Sequence, residues 1–202
     1  GGGRDFSLLF KPGERVALGS VSSTKNFLLV TTLDNVKSRL YRYAFSGKDW
    51  KSEEVKLPGL GVASVTGASD EDDVFYVSYN DFLTPSSLYI VRDGKKLEKI
   101  KSVPAQFDAT GMKVEQYEAV SKDGTKIPYF AFVPKGFKAG EPYPTLLYGY
   151  GGFEVSMLPN YSATIGASWV ERGGVYVLAN IRGGGEFGPR WHQGAMKEKH
   201  QN

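Results

Sequence analysis

The chain has 202 residues, a formal net charge of +3 and no cysteine, and hydrophobic residues make up 41% of it. This composition is that of a globular chain that can hold one large domain or two small ones. The lack of cysteine excludes disulfides, a thiolate nucleophile and thiolate metal sites. The mild charge predicts no nucleic-acid partner and no anionic membrane partner.

The first half of the sequence contains a repeat. NFLLVTTLDNVKSRLYRYAFSG, residues 26–47, aligns without gaps on VFYVSYNDFLTPSSLYIVRDGK, residues 74–95. In each copy, β-branched and aromatic residues form two strand-like runs joined by a short turn. The two predicted turns are Asp34-Asn35 and Leu83-Thr84-Pro85. The strands predicted before and after the hairpins are residues 16–21, 52–57, 62–66 and 97–103.

A repeat of roughly 40–50 residues with four short strands is typical of a β-propeller blade. The alternative is that two unrelated hairpins coincide by chance. Two blades cannot close a propeller, which needs about 4–8 of them. The sequence therefore predicts the C-terminal blades of an incomplete β-propeller over residues 1–104, with the other blades encoded upstream.

The pattern changes after Pro104. Residues 104–111 are predicted to be a linker. Two strands, 113–120 and 127–133, flank the turn Lys122-Asp123-Gly124, because Asp-Gly between apolar runs is a strong hairpin signal. A loop then leads to the first of two apolar segments.

These two apolar segments, residues 145–148 and 175–181, are predicted to be buried strands. Residues 161–172 between them have helical periodicity, and two glycines end the helix. A strand, a helix and a second strand without polar alternation favour a parallel α/β sheet. The predicted fold class is therefore mixed β and α/β, with an incomplete α/β domain over residues 105–202.

Three motifs carry weak signals for cofactors or metals. Gly183, Gly185 and Gly188 match the dinucleotide fingerprint G-x-G-x-x-G after a strand, but Pro189 follows at once and no acidic-ended strand is seen beyond it. His192 and His200 are not at the spacing of a helical zinc pair. The acidic run at residues 69–73 lacks the spaced ligands of a calcium loop. We expect no cofactor and no metal.

No serine of the chain stands in the G-x-S-x-G nucleophile elbow of an α/β-hydrolase, so no catalytic triad can be assembled from it. The loop PTLLYGYGGFEVS, residues 144–156, has another pattern. Its glycines allow close backbone approach, the hydroxyl of Tyr150 can donate to an oxyanion, and the ring of Phe153 can line a pocket. The alternative is a glycine-rich turn whose aromatic rings pack into the core.

Two stretches carry a resemblance to a known family. LLYGYGGFEVSMLPNYS, residues 146–162, and GGVYVLANIRGGGEFGPRWHQGAMKEKHQN, residues 173–202, closely resemble the prolyl oligopeptidase family of serine peptidases. The hairpin SKDGTKIP and the first blade segment resemble it too. The resemblance implies a β-propeller that caps an α/β-hydrolase domain, admits short peptides and cleaves them after proline with a Ser-Asp-His triad.

The resemblance assigns roles to particular residues. Tyr150 matches the tyrosine whose hydroxyl completes the oxyanion hole, and Phe153 matches the phenylalanine of the proline pocket. Residues 182–186 match a signature to which we assign a structural role, and Glu154 stands where many members have asparagine. The family's triad lies beyond Asn202, so none of its members transfers.

The resemblance thus implies the last propeller blades in residues 1–104 and the N-terminal part of the α/β-hydrolase domain in residues 105–202. The expected function is part of a serine endopeptidase that works through an acyl-enzyme, and this segment alone is expected to be inactive. The expected partners are short proline-containing peptides and the remainder of the same polypeptide. The expected location is the cytoplasm, or else the periplasm. The alternatives are a non-catalytic β-propeller binding module with a degenerate hydrolase segment, and a nucleotide-dependent enzyme that binds NAD.

Overall fold

A computed structural model describes residues 6–199 of the chain. His200 lies outside the described residues. Within this range, the strands form three sheets of four strands each. The first two sheets follow each other along the chain, and the third belongs to the second half of the sequence.

The first sheet is an antiparallel meander. It contains β1 (Val16–Ser23), β2 (Phe27–Asp34), β3 (Lys37–Phe45) and β4 (Trp50–Val55), in that order. Because Asp34 pairs with Lys37, the turn between β2 and β3 is residues 35–36, one residue later than predicted.

The second sheet repeats this arrangement with β5 (Val62–Ala68), β6 (Phe75–Asn80), β7 (Ser87–Val91) and β8 (Glu98–Ser102). A register shift also recurs in the first strand of each sheet, between Leu18 and Ser20 and between Val65 and Gly67. The prediction of two equivalent four-stranded units is confirmed, and chance similarity of two hairpins is excluded.

The third sheet is mixed. It contains β9 (Lys113–Val120), β10 (Lys126–Val133), β11 (Thr145–Gly149) and β12 (Val175–Ala179), in the order β11-β12-β10-β9. β11 and β12 are parallel, as predicted, whereas β10 pairs antiparallel with both β9 and β12. The predicted hairpin therefore extends the same sheet as the parallel pair.

The helix between β11 and β12 is shorter than the predicted residues 161–172. It has one α-helical turn, α1 (Ala163–Ile165), followed by a π-helical segment, Gly166–Val170. The ring of Phe107 packs against Gly166, where a Cβ atom would lie 2.1 Å from a ring carbon. The widened turn thus begins at the residue that admits this ring.

The prediction that β11 is buried is wrong. All five of its residues are exposed, and Leu147 retains 68% of its accessible surface. β11 is the edge strand of the mixed sheet, and no element of residues 6–199 covers its apolar side chains. Its composition fits a buried strand, but burial depends on what packs against it.

Two main hydrophobic cores hold the structure. The first lies between the two antiparallel sheets and includes Leu29, Leu40, Phe75, Val77 and Val91. The second lies on the mixed sheet and includes Phe130, Phe132, Val170, Leu178 and Phe187. Val36 of the β2–β3 turn and Phe82 of the β6–β7 loop also belong to the second core, so both antiparallel sheets contact the mixed sheet.

The predicted linker, residues 104–111, contains no helix or strand. It is nevertheless anchored, because the buried ring of Phe107 stacks on Tyr161 with 5.0 Å between ring centroids. The Tyr161 hydroxyl also accepts a hydrogen bond from the backbone N–H of Gln106. The connection between the antiparallel sheets and the mixed sheet is therefore a packed segment.

Candidate functional site

The loop after β11 carries the two aromatic residues singled out in the sequence. Phe153 and Glu154 have consecutive positive φ angles, 54° and 58°, which side-chain-bearing residues rarely adopt. Phe153 is 88% exposed. The loop therefore holds this ring away from the core in an unusual backbone conformation.

Tyr150 lies on the same loop. Its ring folds over Gly152, where a Cβ atom would lie 2.8 Å from the tyrosine hydroxyl oxygen. The side chain remains exposed, and no group of residues 6–199 hydrogen-bonds its hydroxyl. The alternative in which both aromatic rings pack into the core is therefore wrong, and the hydroxyl of Tyr150 is free to donate to another molecule.

The two glycine-rich motifs pack against each other through their backbones. A Cβ atom on Gly151 would lie 2.2 Å from the carbonyl oxygen of Arg182, and one on Gly183 would lie 1.9 Å from that of Gly151. Gly183 also has a φ of 98°. No larger residue fits either position, so residues 149–158 and 180–188 form one compact structure.

Arg182 ties this structure to the β9–β10 hairpin. Its guanidinium forms an ion pair with Asp123 and donates hydrogen bonds to the hydroxyls of Thr125, at 3.2 Å, and Ser121, at 3.0 Å. The hydrogen bond from Arg182 lowers the pKa of Asp123 to about 2. The structural role predicted for the segment at residue 182 is confirmed by these contacts.

Three further polar residues surround the loop, and the sequence did not predict their positions there. The Nδ1 atom of His192 lies 2.7 Å from the carbonyl oxygen of Gly183 and 3.2 Å from the backbone nitrogen of Glu154. The side chains of Asn180 and Glu186 are fully buried beside Met157. The sequence offered one signal for Glu186 alone: it follows three glycines and precedes Phe187, and a carboxylate that becomes buried in such a segment requires a partner.

This packing leaves Gly183 and Gly185, two of the three fingerprint glycines, no room for a pyrophosphate. The carbonyl of Gly183 accepts a hydrogen bond from Glu154, and its α-carbon faces Gly151. The following helix, α2 (Pro189–Gln193), has five residues and begins with a proline, which has no N–H to offer a phosphate. The arrangement is that of a structural turn.

Other candidate sites are accounted for by local contacts. Asp73 of the acidic run accepts hydrogen bonds from the Thr24 hydroxyl and from the backbone and side chain of Asn26, so it joins the two antiparallel sheets. In the part of the chain that the structure describes, no three His, Cys, Asp or Glu residues cluster as metal ligands. No helix in that part is both long and apolar enough to cross a membrane.

Comparison with known proteins gives a consistent assignment. Residues 5–102 match the family model for the N-terminal β-propeller domain of prolyl oligopeptidase. The chain is 44% identical over 195 residues to the uncharacterized peptidase y4nA of Sinorhizobium fredii, covering 96% of this chain and 27% of that protein. It is 35% identical over 183 residues to the prolyl endopeptidase of Elizabethkingia miricola, and the match covers 90% of this chain and 26% of that protein.

A solved structure agrees with these relatives. A post-proline cleaving enzyme from Rickettsia typhi superposes with a TM-score of 0.84 at 36% identity, over 96% of this chain and 28% of that one. The two antiparallel four-stranded sheets and the family-model match define the class as a protein that contains an N-terminal β-propeller domain. The chain belongs to the prolyl oligopeptidase family, and it spans about a quarter of the length of the relatives that it matches.

Proposed function

We propose that this chain is part of a serine endopeptidase that hydrolyses short peptides on the carboxyl side of proline through an acyl-enzyme. In this proposal it supplies the oxyanion-hole side and the proline-pocket side of the active site. The catalytic serine, aspartate and histidine lie outside residues 1–202. The reaction uses no metal and no cofactor.

The observation that carries the proposal is the position of the loop. β11 is the third strand, in chain order, of the mixed sheet. In α/β-hydrolases the loop after the third strand contributes a donor to the oxyanion hole. Here that loop presents the exposed Phe153 ring and the exposed Tyr150, whose hydroxyl has no hydrogen-bond partner within residues 6–199.

Each side chain has a distinct role in the proposed reaction. When the catalytic serine attacks the peptide carbonyl, negative charge develops on its oxygen, and the Tyr150 hydroxyl donates a hydrogen bond to that oxyanion. Such a donor accelerates the reaction because it binds the charge only as it forms. The Phe153 ring provides an apolar face for the proline ring of the substrate.

The exposed edge of the mixed sheet supports the second proposed partner, the remainder of the same polypeptide. Leu146, Leu147 and Tyr148 of β11 are exposed apolar residues on a strand with one unpaired edge. Such an edge is a template for another strand. We therefore assign further strands of the same polypeptide to this edge, where they complete an α/β-hydrolase sheet.

The test is to treat the full-length gene product with a fluorophosphonate probe and to assay peptides that differ only in proline or alanine before the scissile bond. One probe adduct on a serine outside residues 1–202, with cleavage after proline, is the expected result. The absence of both the adduct and the cleavage would contradict the proposal. It would favour the alternative, a β-propeller binding module with a degenerate hydrolase segment.

A further inference from the structure

Both backbone groups of Met157 are bound by side chains that follow β12. The Met157 N–H donates to Oε1 of Glu186 at 2.8 Å, and its carbonyl accepts from Nδ2 of Asn180 at 2.6 Å. The same Asn180 amide lies 3.4 Å from Glu186 Oε1. Three groups thus form one connected set of hydrogen bonds.

The carboxyl of Glu186 is unusual because it is buried without a cation. Both Glu186 and Asn180 are fully buried, and within residues 6–199 neither Glu186 Oε2 nor Asn180 Oδ1 has a hydrogen-bond partner. Burial raises the pKa of Glu186. An unpaired buried carboxyl is unfavourable for stability, and an apolar residue would fill the space at lower cost. The burial of this carboxyl therefore indicates a functional reason for it.

The position of Met157 supplies that reason. It ends a segment that begins at Gly152 and contains the two residues with positive φ, Phe153 and Glu154. Two backbone hydrogen bonds fix the segment. The N–H of Glu154 donates to the carbonyl oxygen of Gly183 at 3.2 Å, and the N–H of Val155 donates to the carbonyl oxygen of Gly152 at 3.0 Å. Strained backbone of this kind persists only where the surroundings hold it from several sides.

We propose that Glu186 is a positioning residue for the loop, which acts with Asn180 by holding Met157 and thereby fixes the backbone at Phe153 and Glu154. The direction of the Phe153 ring depends on this backbone. That the ring then receives a substrate proline rests on the proposed function. The loop-ordering part of the proposal does not.

The test compares Glu186→Gln with Glu186→Leu in the full-length gene product. Glutamine keeps an oxygen that accepts from the Met157 N–H, whereas leucine has a similar volume and no acceptor. The matched control is Val77→Ala, which perturbs the first core, away from the loop. The readouts are deuterium exchange of residues 152–158 and kcat/KM for peptides with proline or alanine before the scissile bond.

Glu186→Leu is expected to speed exchange of residues 152–158 about tenfold, since one buried hydrogen bond is lost. It is also expected to lower kcat/KM for the proline peptide by about 10²-fold, because a displaced site residue misplaces the substrate. Glu186→Gln is expected to stay near the wild type both in the exchange of residues 152–158 and in kcat/KM. The proposal is overturned if Glu186→Leu changes exchange and kcat/KM no more than Val77→Ala does. If the wild type cleaves no peptide, the proposed function fails, and exchange alone decides the positioning role.

Discussion

The ring of Phe82 lies 5.8 Å from the ring of Phe130, and this contact joins the second antiparallel sheet to the mixed sheet. The same ring lies 5.9 Å from Phe132 and 6.2 Å from Tyr176, and Phe82 is buried. A residue from a propeller loop is thus at the centre of the aromatic cluster on the mixed sheet. The ring of Phe82 is therefore one of the contacts that fix the relative position of these two sheets.

Phe82→Ala is therefore expected to lower the free energy of unfolding by about 3–5 kcal/mol, the usual cost of removing a buried phenylalanine. Urea unfolding of the full-length gene product measures it. Phe45→Ala is the control, since Phe45 is 54% exposed and is expected to cost far less. Equal losses for the two variants would show that Phe82 does not join the sheets.

The turn between β2 and β3 contains a second buried contact with a strained backbone. Asn35 and Val36 have φ angles of 48° and 69°, and Val36 is fully buried in the core of the mixed sheet. A β-branched residue in this conformation is strained by about 1–2 kcal/mol. The strain is retained here together with the burial of two methyl groups.

This balance predicts an order of stability for two variants of Val36. Val36→Ala loses the two buried methyl groups, at about 2 kcal/mol, and keeps part of the strain. Val36→Gly loses about 1 kcal/mol more in burial but recovers about 1–2 kcal/mol of strain. The glycine variant is expected to be at least as stable as the alanine variant in thermal unfolding. A glycine variant that is clearly less stable would mean that the positive φ costs little.

Local signals explain why most strands could be predicted from the sequence. Turn residues such as Asp123-Gly124 and alternating apolar residues determine where a hairpin forms, so β9 and β10 were predicted closely. The exposure of β11 was not predicted, because burial depends on neighbouring elements that a strand's own composition does not reveal. The insertion of Phe82 into the second core is likewise a contact between segments distant in sequence.

The residues of the candidate site also divide into those that the sequence predicted and those that it did not. Tyr150 and Phe153 stand in a motif whose spacing is visible along the chain, and both are exposed. Their roles in the site stay predictions. Asn180 and Glu186 come from a different segment and reach the loop only after the sheet has formed. Contacts that depend on tertiary packing leave no local pattern, so the sequence could not link these residues to Met157.

The ion pair between Asp123 and Arg182 predicts a dependence of stability on pH. The pKa of Asp123 is lowered from 3.8 to about 2 in the folded chain by the hydrogen bond from Arg182. A lowered carboxyl pKa means that the unfolded chain binds the proton first, so the stabilisation is present above pH 3.8 and is lost as the pH falls towards 2.

Melting temperatures between pH 2 and pH 6 test this dependence. Asp123→Asn is expected to lower the melting temperature above about pH 4 and to match the wild type near pH 2. Asp70→Asn is the control, because Asp70 is exposed and forms no ion pair with residues 6–199. A constant difference between Asp123→Asn and the wild type at every pH would contradict an ionic role for Asp123.

The hydroxyl of Tyr150 is the group that most directly tests the proposed chemistry. Tyr150→Phe keeps the ring over Gly152 and removes only the donor, so the loop is expected to keep its structure. If the hydroxyl binds the oxyanion, kcat for a proline peptide should fall by about 10²–10³, while KM changes little because the donor acts in the transition state. Tyr148→Phe is the matched control, since Tyr148 is also exposed but belongs to β11 and not to the loop. Similar kcat values for the two variants would remove Tyr150 from the oxyanion hole. A loss confined to Tyr150→Phe, without a change in deuterium exchange of the loop, would establish the hydroxyl as the donor.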